Sequence, residues 1–203
     1  MRLFTGIAIA PHVLKNLEAL LADLKPLAAL KWSPPENFHI TTRFIGEWPE
    51  SRLPELKTAL GRIPRPGPIP ISVHGFGFMP NPHRPRAFFA AVISGRELPA
   101  LATAIDATME LLGCPREDRP YRPHLTLARI RNDNIGELRE RIASMKNPDF
   151  GGFEAAEFHL YLSTPSQRNS LYTQLETFPL TAQADPFTPQ AGPLAGQTGE
   201  SVQ

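Results

Sequence analysis

The sequence predicts an α+β protein built from two similar halves, and three observations carry that prediction. The pattern His-x-Thr occurs twice, as His39-Ile40-Thr41 and His124-Leu125-Thr126, 85 residues apart. Each copy lies in an apolar run of the length and composition of a strand. The order strand, helix, motif strand, helix, further strands recurs around both copies, although the halves share negligible identity outside them.

The elements follow in turn. Residues 2–10 alternate loosely and read as a strand, and Pro11 opens a helical pattern to about Leu30 with Leu14, Leu17, Leu20, Leu21 and Leu24 on one side. Pro26 ends or kinks that helix. Trp32 to Asn37 is a Pro-rich loop, 38–45 the first motif strand, and Pro54 to Leu60 a short helix closed by Gly61. Ile69–Phe78 and Ala87–Ile93 form an antiparallel hairpin around the turn Pro80 to Pro85. Glu97–Leu112 is a helix ending at Gly113, and a charged loop from Pro115 to Pro123 leads into the second motif strand, 124–130. A helix over 133–145 with Asp133 near its cap follows, then strands Phe153–Leu162 and Ser170–Leu180. From Thr181 the chain is rich in Pro, Gly, Gln and Ala without periodicity. It therefore divides into a domain over 1–180 and a disordered tail over 181–203.

Composition narrows the class. A hydrophobic content of 41% supports a real core, and no apolar run reaches membrane-spanning length. The single cysteine, Cys114, excludes an internal disulfide framework and suits a reducing compartment. Met1 to Ala10 mimics a short signal segment, but a first strand feeding a helix explains the same residues better, so a cytoplasmic protein is expected. A net charge of +1 excludes a general nucleic-acid coat protein. Of the 21 basic residues, however, 16 are Arg, the better fork for phosphate oxygens.

The two motifs carry the chemistry. On a strand, residues two apart project from one face, so each copy offers an imidazole beside a hydroxyl. Two such pairs facing one another supply an acid, a base and two donors around one tetrahedral phosphate. Taken singly, each histidine also fits an ordinary hydrogen-bonded strand residue; a polar pair on an otherwise buried face needs a reason. A zinc site fails on spacing, because no His-Glu-x-x-His, no Cys pair and no carboxylate adjoins either motif. With no Walker loop or dinucleotide fingerprint either, no cofactor and no metal are expected. His12, His74, His83 and His159 read as structural or surface residues. Phe4, Phe44 and Phe76 read as core residues first and base-stacking ones second, and Arg43 and Arg122 fit either strand tracking or solvated positions.

Phe38-His39-Ile40-Thr41-Thr42-Arg43-Phe44-Ile45-Gly46 and Tyr121-Arg122-Pro123-His124-Leu125-Thr126-Leu127-Ala128-Arg129, with Met1-Arg2-Leu3-Phe4 ahead of them and Leu160-Tyr161-Leu162-Ser163 and Tyr172 to Leu180 behind, give the chain a further meaning. Over roughly residues 1–180 it resembles the RNA 2′,3′-cyclic phosphodiesterases, also called 2′-5′ RNA ligases, of the two-histidine phosphoesterase superfamily. The resemblance implies a bilobal fold, two pseudo-symmetric lobes of antiparallel sheet with flanking helices and a central cleft. It maps His39 and His124 onto the catalytic positions, Thr41 and Thr126 beside them, and Arg129 onto a phosphate-binding position. The departure at Thr42, where relatives often carry Leu or Val, touches packing rather than chemistry.

The implied reaction is metal-free hydrolysis of RNA 2′,3′-cyclic phosphate ends to 2′-phosphates by a monomer, with 2′-5′ ligation as its reverse. One assignment makes His124 the base and His39 the acid, although the sequence leaves the two roles open. A small cyclic phosphate nucleotide as substrate, and a non-catalytic RNA-end-binding module, are the alternatives.

Overall fold

The computed structural model describes residues 1–131, 134–166 and 169–181. The elements run β1 (Arg2–Ala8), α1 (Pro11–Leu24), β2 (Lys31–Trp32), β3 (His39–Glu47), α2 (Leu53–Gly61), β4 (Ile69–Met79), β5 (Ala87–Ser94), α3 (Glu97–Leu111), β6 (His124–Arg129), α4 (Gly136–Ser144), β7 (Asp149–Ala155), β8 (Glu157–Pro165) and β9 (Ser170–Pro179). Eight strands lie in the order β7-β4-β5-β6-β3-β1-β8-β9, and the two-residue β2 adds to β6 beside that path. Every pairing is antiparallel.

That path divides at the β6–β3 junction into β7-β4-β5-β6 and β3-β1-β8-β9, four strands each, with a motif strand at the inner end of both. The two lobes are therefore two halves of one sheet. They touch through one ladder pair, Ile40 opposite Leu125, so the motif strands separate on either side of it.

The helices cross between the halves. α1 follows β1 but packs on β7, where Asn16 Nδ2 donates to the Phe150 carbonyl at 3.0 Å and the His12 ring bonds the Gly152 carbonyl at 2.9 Å. α3 follows β5 but packs on β3. Val13, Leu17, Leu21 and Leu24 of α1 and Leu98, Leu101, Ile105 and Met109 of α3 are buried at the i, i+4 and i+7 spacings of one apolar stripe. Together with Ile40 and Leu125 they belong to one continuous core. Removing either Leu125 or Ile40 side chain is expected to cost about 2–5 kcal/mol.

Most expected elements appear within a residue or two of their sequence-derived bounds, with three differences. Residues 31–32 pair with β6, where a plain loop is expected. α1 stops at Leu24, and Pro26 sits in a 3₁₀ turn over Lys25–Leu27. The run Phe153–Leu162 is two strands, not one: β7 pairs with β4 and β8 with β1, with only Ala156 between them. A single residue joins opposite ends of the strand order only because the sheet curls back on itself; the Leu180 amide closes that corner on the Ala156 carbonyl at 2.7 Å. Asp133 and the tail from residue 182 lie outside the described residues. Among the described residues no helix is long and apolar enough to cross a membrane.

Candidate active site

The two motif strands share one burial pattern. From His39 to Phe44 and from His124 to Arg129 the sequence of half-buried, buried, half-buried, buried, buried, exposed is identical. Ile40 and Leu125 point into the core, so His39, Thr41, His124 and Thr126 rise on the opposite face. With Ile40 opposite Leu125, antiparallel register sets His39 against Thr126 and Thr41 against His124. The two imidazoles are then diagonal neighbours across the point where the strands part, near enough for the charge of His124 to act on His39.

Each strand also carries a bulge at the residue after its threonine. Gly6 pairs with Thr41 but Thr5 with Arg43, which makes Thr42 the extra residue; Phe89 pairs with Thr126 but Phe88 with Ala128, which makes Leu127 the extra residue. The bulge breaks alternation immediately beyond the motif and turns two consecutive side chains inward. Thr42 is one of them, and its hydroxyl lies 2.7 Å from that of Thr5 in the core, a packing role as expected.

Both rings are locked in the same way. His39 Nδ1 lies 2.7 Å from the carbonyl of Asn37, and His124 Nδ1 lies 2.8 Å from the carbonyl of Arg122. A carbonyl only accepts, so Nδ1 donates in both rings and Nε2 is left to exchange protons with a substrate. Among the described residues the hydroxyls of Thr41 and Thr126 have no hydrogen-bond partner, which leaves both to donate.

The surroundings of the rings differ. His39 rests on Phe4 at 4.6 Å between centroids, meets the edge of Tyr172 at 5.2 Å, and has Tyr161 at 6.0 Å. Among the described residues His124 has a single aromatic neighbour, Phe89, at 5.7 Å. Burial in this aromatic nest lowers the His39 pKa to about 4; the Asn37 carbonyl opposes that shift and the charge of His124 adds to it. Burial likewise pushes the Tyr161 hydroxyl up to about 12.

His39, Thr41, Thr126 and Arg129 line one cleft of about 160 Å³. Four of the five expected residues thus share one lining; His124 is outside it and acts on His39 through its charge. Reasoning from sequence missed Lys31, Ser33, Asn37, Arg131, Ser170 and Tyr172 in the same lining. Asn37 ties the loop before the first motif to the β9 side, its Nδ2 donating to the Ser170 carbonyl at 2.7 Å. The hint in the sequence was the position of that loop just ahead of the first motif and of Tyr172 at the head of a segment that carries the resemblance.

The open aromatics and arginines resolve. Phe44 is 54% exposed and lines the cleft, whereas Phe4 is buried and Phe76 packs on Phe88 and Phe150. Arg43 is buried, its Nε 2.8 Å from Asp106 Oδ1 though out of line for a hydrogen bond, and its other nitrogens donate to Glu117 and to the Phe44 and Pro115 carbonyls. It fastens α3 to β3 and does not face the cleft. Arg122 is exposed. Among the described residues no three His, Cys, Asp or Glu side chains gather in a way that would hold a metal ion.

Two motif strands meeting mid-sheet with one burial pattern and one Nδ1 lock, His39 in a cleft with Lys31 and Arg129, fit the class of two-histidine phosphoesterases. The family model for LigT-like phosphoesterases matches residues 7–89 and 94–172, and the chain belongs to that family. It is 30% identical over 178 residues to the RNA 2′,3′-cyclic phosphodiesterase of Archaeoglobus fulgidus, covering 88% of this chain and 99% of that one. Against the protein of the same name from Methanocaldococcus jannaschii it is 33% identical over 173 residues, covering 85% and 96%. A solved protein of Thermus thermophilus superposes with a TM-score of 0.74 at 30% identity, covering 89% of this chain and 98% of that one. E. coli LigT with 3′-AMP shares the fold, with a TM-score of 0.75 at 24% identity over 89% and 98% of the two chains.

Proposed function

We propose that this chain hydrolyses RNA 2′,3′-cyclic phosphate termini to 2′-phosphomonoester ends, with His39 and His124 as its acid–base pair. The observation that carries the reading is the twin lock: in each motif the backbone carbonyl two residues back holds Nδ1, which leaves Nε2 of both rings for a substrate. Relatives bearing that activity in their names match over nearly their full lengths, which supports the choice of substrate.

In the reaction, water attacks phosphorus as the bond to the ribose 3′ oxygen breaks. One Nε2 takes the proton from water, and the other gives its proton to the departing oxygen, so one imidazole enters neutral and the other protonated. Thr41 and Thr126 donate to the non-bridging oxygens, and Arg129 adds positive charge where negative charge accumulates. Phe44, exposed at the cleft, offers a face for the terminal base.

With His124 as base, His39 must carry the acid proton. Burial keeps His39 neutral in the empty cleft, so that proton arrives together with the anionic substrate. With a 5′-hydroxyl in place of water, the same pair run in reverse joins ends through a 2′-5′ linkage.

The reading includes action without a metal, as a monomer, in the cytoplasm. The test is an oligoribonucleotide ending in 2′,3′-cyclic phosphate, incubated with the protein and excess chelator, with the product phosphate mapped. Full turnover to a 2′-phosphate is expected, and loss of about 10²–10⁴-fold in His39→Ala and in His124→Ala. Turnover that dies on chelation, or that survives both substitutions, refutes the scheme.

A further inference from the structure

Next to the cleft lies a larger groove that the reaction does not use. It encloses about 600 Å³ between the β4–β5 turn and the start of α4, and His83, Arg84, Arg86, Arg131 and Arg139 line it. Among the described residues no carboxylate lines it. Arg131 belongs to both linings, so cleft and groove meet at that residue. A protein whose formal net charge is only +1 thus gathers four guanidinium groups in one concavity that opens beside its phosphate site.

The groove is held in shape. Asn81 Oδ1 accepts from the backbone amides of His83 and Arg84 at 3.0 and 2.9 Å, which folds the turn. Arg139 donates to the Pro82 carbonyl and lies 4.9 Å over the Phe78 ring, which anchors α4 against the same turn. Among the described residues the side chains of Arg84 and Arg86 make no ion pair or hydrogen bond, and both are exposed. Like charges brought together repel one another, and such a cluster is relieved by anions. Guanidinium forks match phosphate oxygens better than ammonium groups do.

We infer that this groove binds backbone phosphates of the strand 5′ of the reacting terminus, so that the enzyme favours a polynucleotide over a mononucleotide cyclic phosphate. The inference rests on the proposed function and deepens it by naming the substrate class. Arg131 is where the chain leaves the cleft, and Arg84 and Arg86 lie further along the path.

The test compares adenosine 2′,3′-cyclic phosphate with a five-nucleotide RNA ending in the same group, on the full-length protein. The Arg84→Ala/Arg86→Ala protein is expected to lose about tenfold in kcat/KM on the RNA and to keep its rate on the mononucleotide. The slope of log(kcat/KM) for the RNA against log salt should become shallower by about 1.4, two phosphates at about 0.7 each. Arg84→Lys/Arg86→Lys should recover most of the loss and the slope. Equal losses on both substrates, or no loss on either, overturn the groove assignment while leaving the reaction intact. A wild-type protein that opens neither substrate overturns the reaction and the groove together.

Discussion

His39 takes up a proton when substrate binds if it is the acid of the reaction, and the structure sets the size of that effect. In the empty cleft its pKa is about 4. Protonating it at pH 7 therefore costs about 4 kcal/mol, three units at about 1.36 each. A phosphate anion about 4 Å from an imidazolium returns about 4 kcal/mol at an effective dielectric constant near 20. The two nearly cancel, so His39 in the complex should titrate around neutrality. The His124→Ala protein, which should bind without turnover, can be titrated calorimetrically with adenosine 2′,3′-cyclic phosphate in buffers of different ionisation enthalpy. The ligand carries one charge that does not titrate in this range. Proton uptake should be about half at pH 7, nearly one at pH 6 and close to zero at pH 8, and should vanish in His39→Asn/His124→Ala. Absence of uptake at pH 6 would mean that His39 stays neutral in the complex, and it would reverse the acid and base assignments.

The same burial links to stability. Because the folded pKa of His39 lies below its ordinary 6.5, the unfolded chain gains a proton first as pH falls, and stability drops between about pH 6.5 and 4. Urea unfolding should register a loss of about 3 kcal/mol across that window, flattened in His39→Gln. His159, also lowered by its burial, adds to the loss in the same direction. Gly6→Ala brings a methyl to 3.0 Å from the Ile40 carbonyl and 3.3 Å from the His39 ring, so a fall in kcat of about 10–100-fold is expected along with a loss of about 1–3 kcal/mol in denaturant midpoint analysis. Phe44→Ala should raise KM about 5–150-fold with kcat and melting temperature unchanged, as loss of about 1–3 kcal/mol of base stacking requires. Phe4→Ala, beneath the ring, should instead destabilise the fold by about 3–5 kcal/mol.

What the sequence disclosed follows from how local each signal is. The motif strands were legible because alternation of polar and apolar residues survives from His39 to Thr41 and from His124 to Thr126, ahead of each bulge. The corner at Ala156 was hidden because no Gly or Pro marks it. Gly151 and Gly152, which resemble a turn, lie inside β7: Gly151 at φ +101°, and Gly152 where an added Cβ would come within 3.1 Å of the Ile71 carbonyl. Arg43 was ambiguous because its partners, Asp106 and Glu117, sit more than sixty residues away on a helix and the loop beyond it. The arginine groove was invisible for the same reason: Arg84 and Arg139 come together only through packing of α4 on the β4–β5 turn.

Two identical neighbouring imidazoles would already share one proton between them, because the second charge is repelled by the first; asymmetry decides which ring holds it. Here the backbone supplies the symmetry, with the same burial pattern, the same bulge position and the same carbonyl lock on each Nδ1. Side chains break it. Phe4, Tyr161 and Tyr172 enclose one ring, while Phe89 meets the edge of the other. The exposed position three residues past each threonine differs too: Phe44 on one strand offers a surface for a base, and Arg129 on the other offers charge for a phosphate. On the proposed function, the pair of strands would distinguish the two ends of a nucleotide, with its phosphorus between the two motifs. If that division is correct, exchanging Phe44 and Arg129 for one another should leave the fold intact and abolish productive binding, because base and phosphate would each face the wrong partner. Unchanged KM in the Phe44→Arg/Arg129→Phe protein would show that the orientation of the nucleotide is set elsewhere.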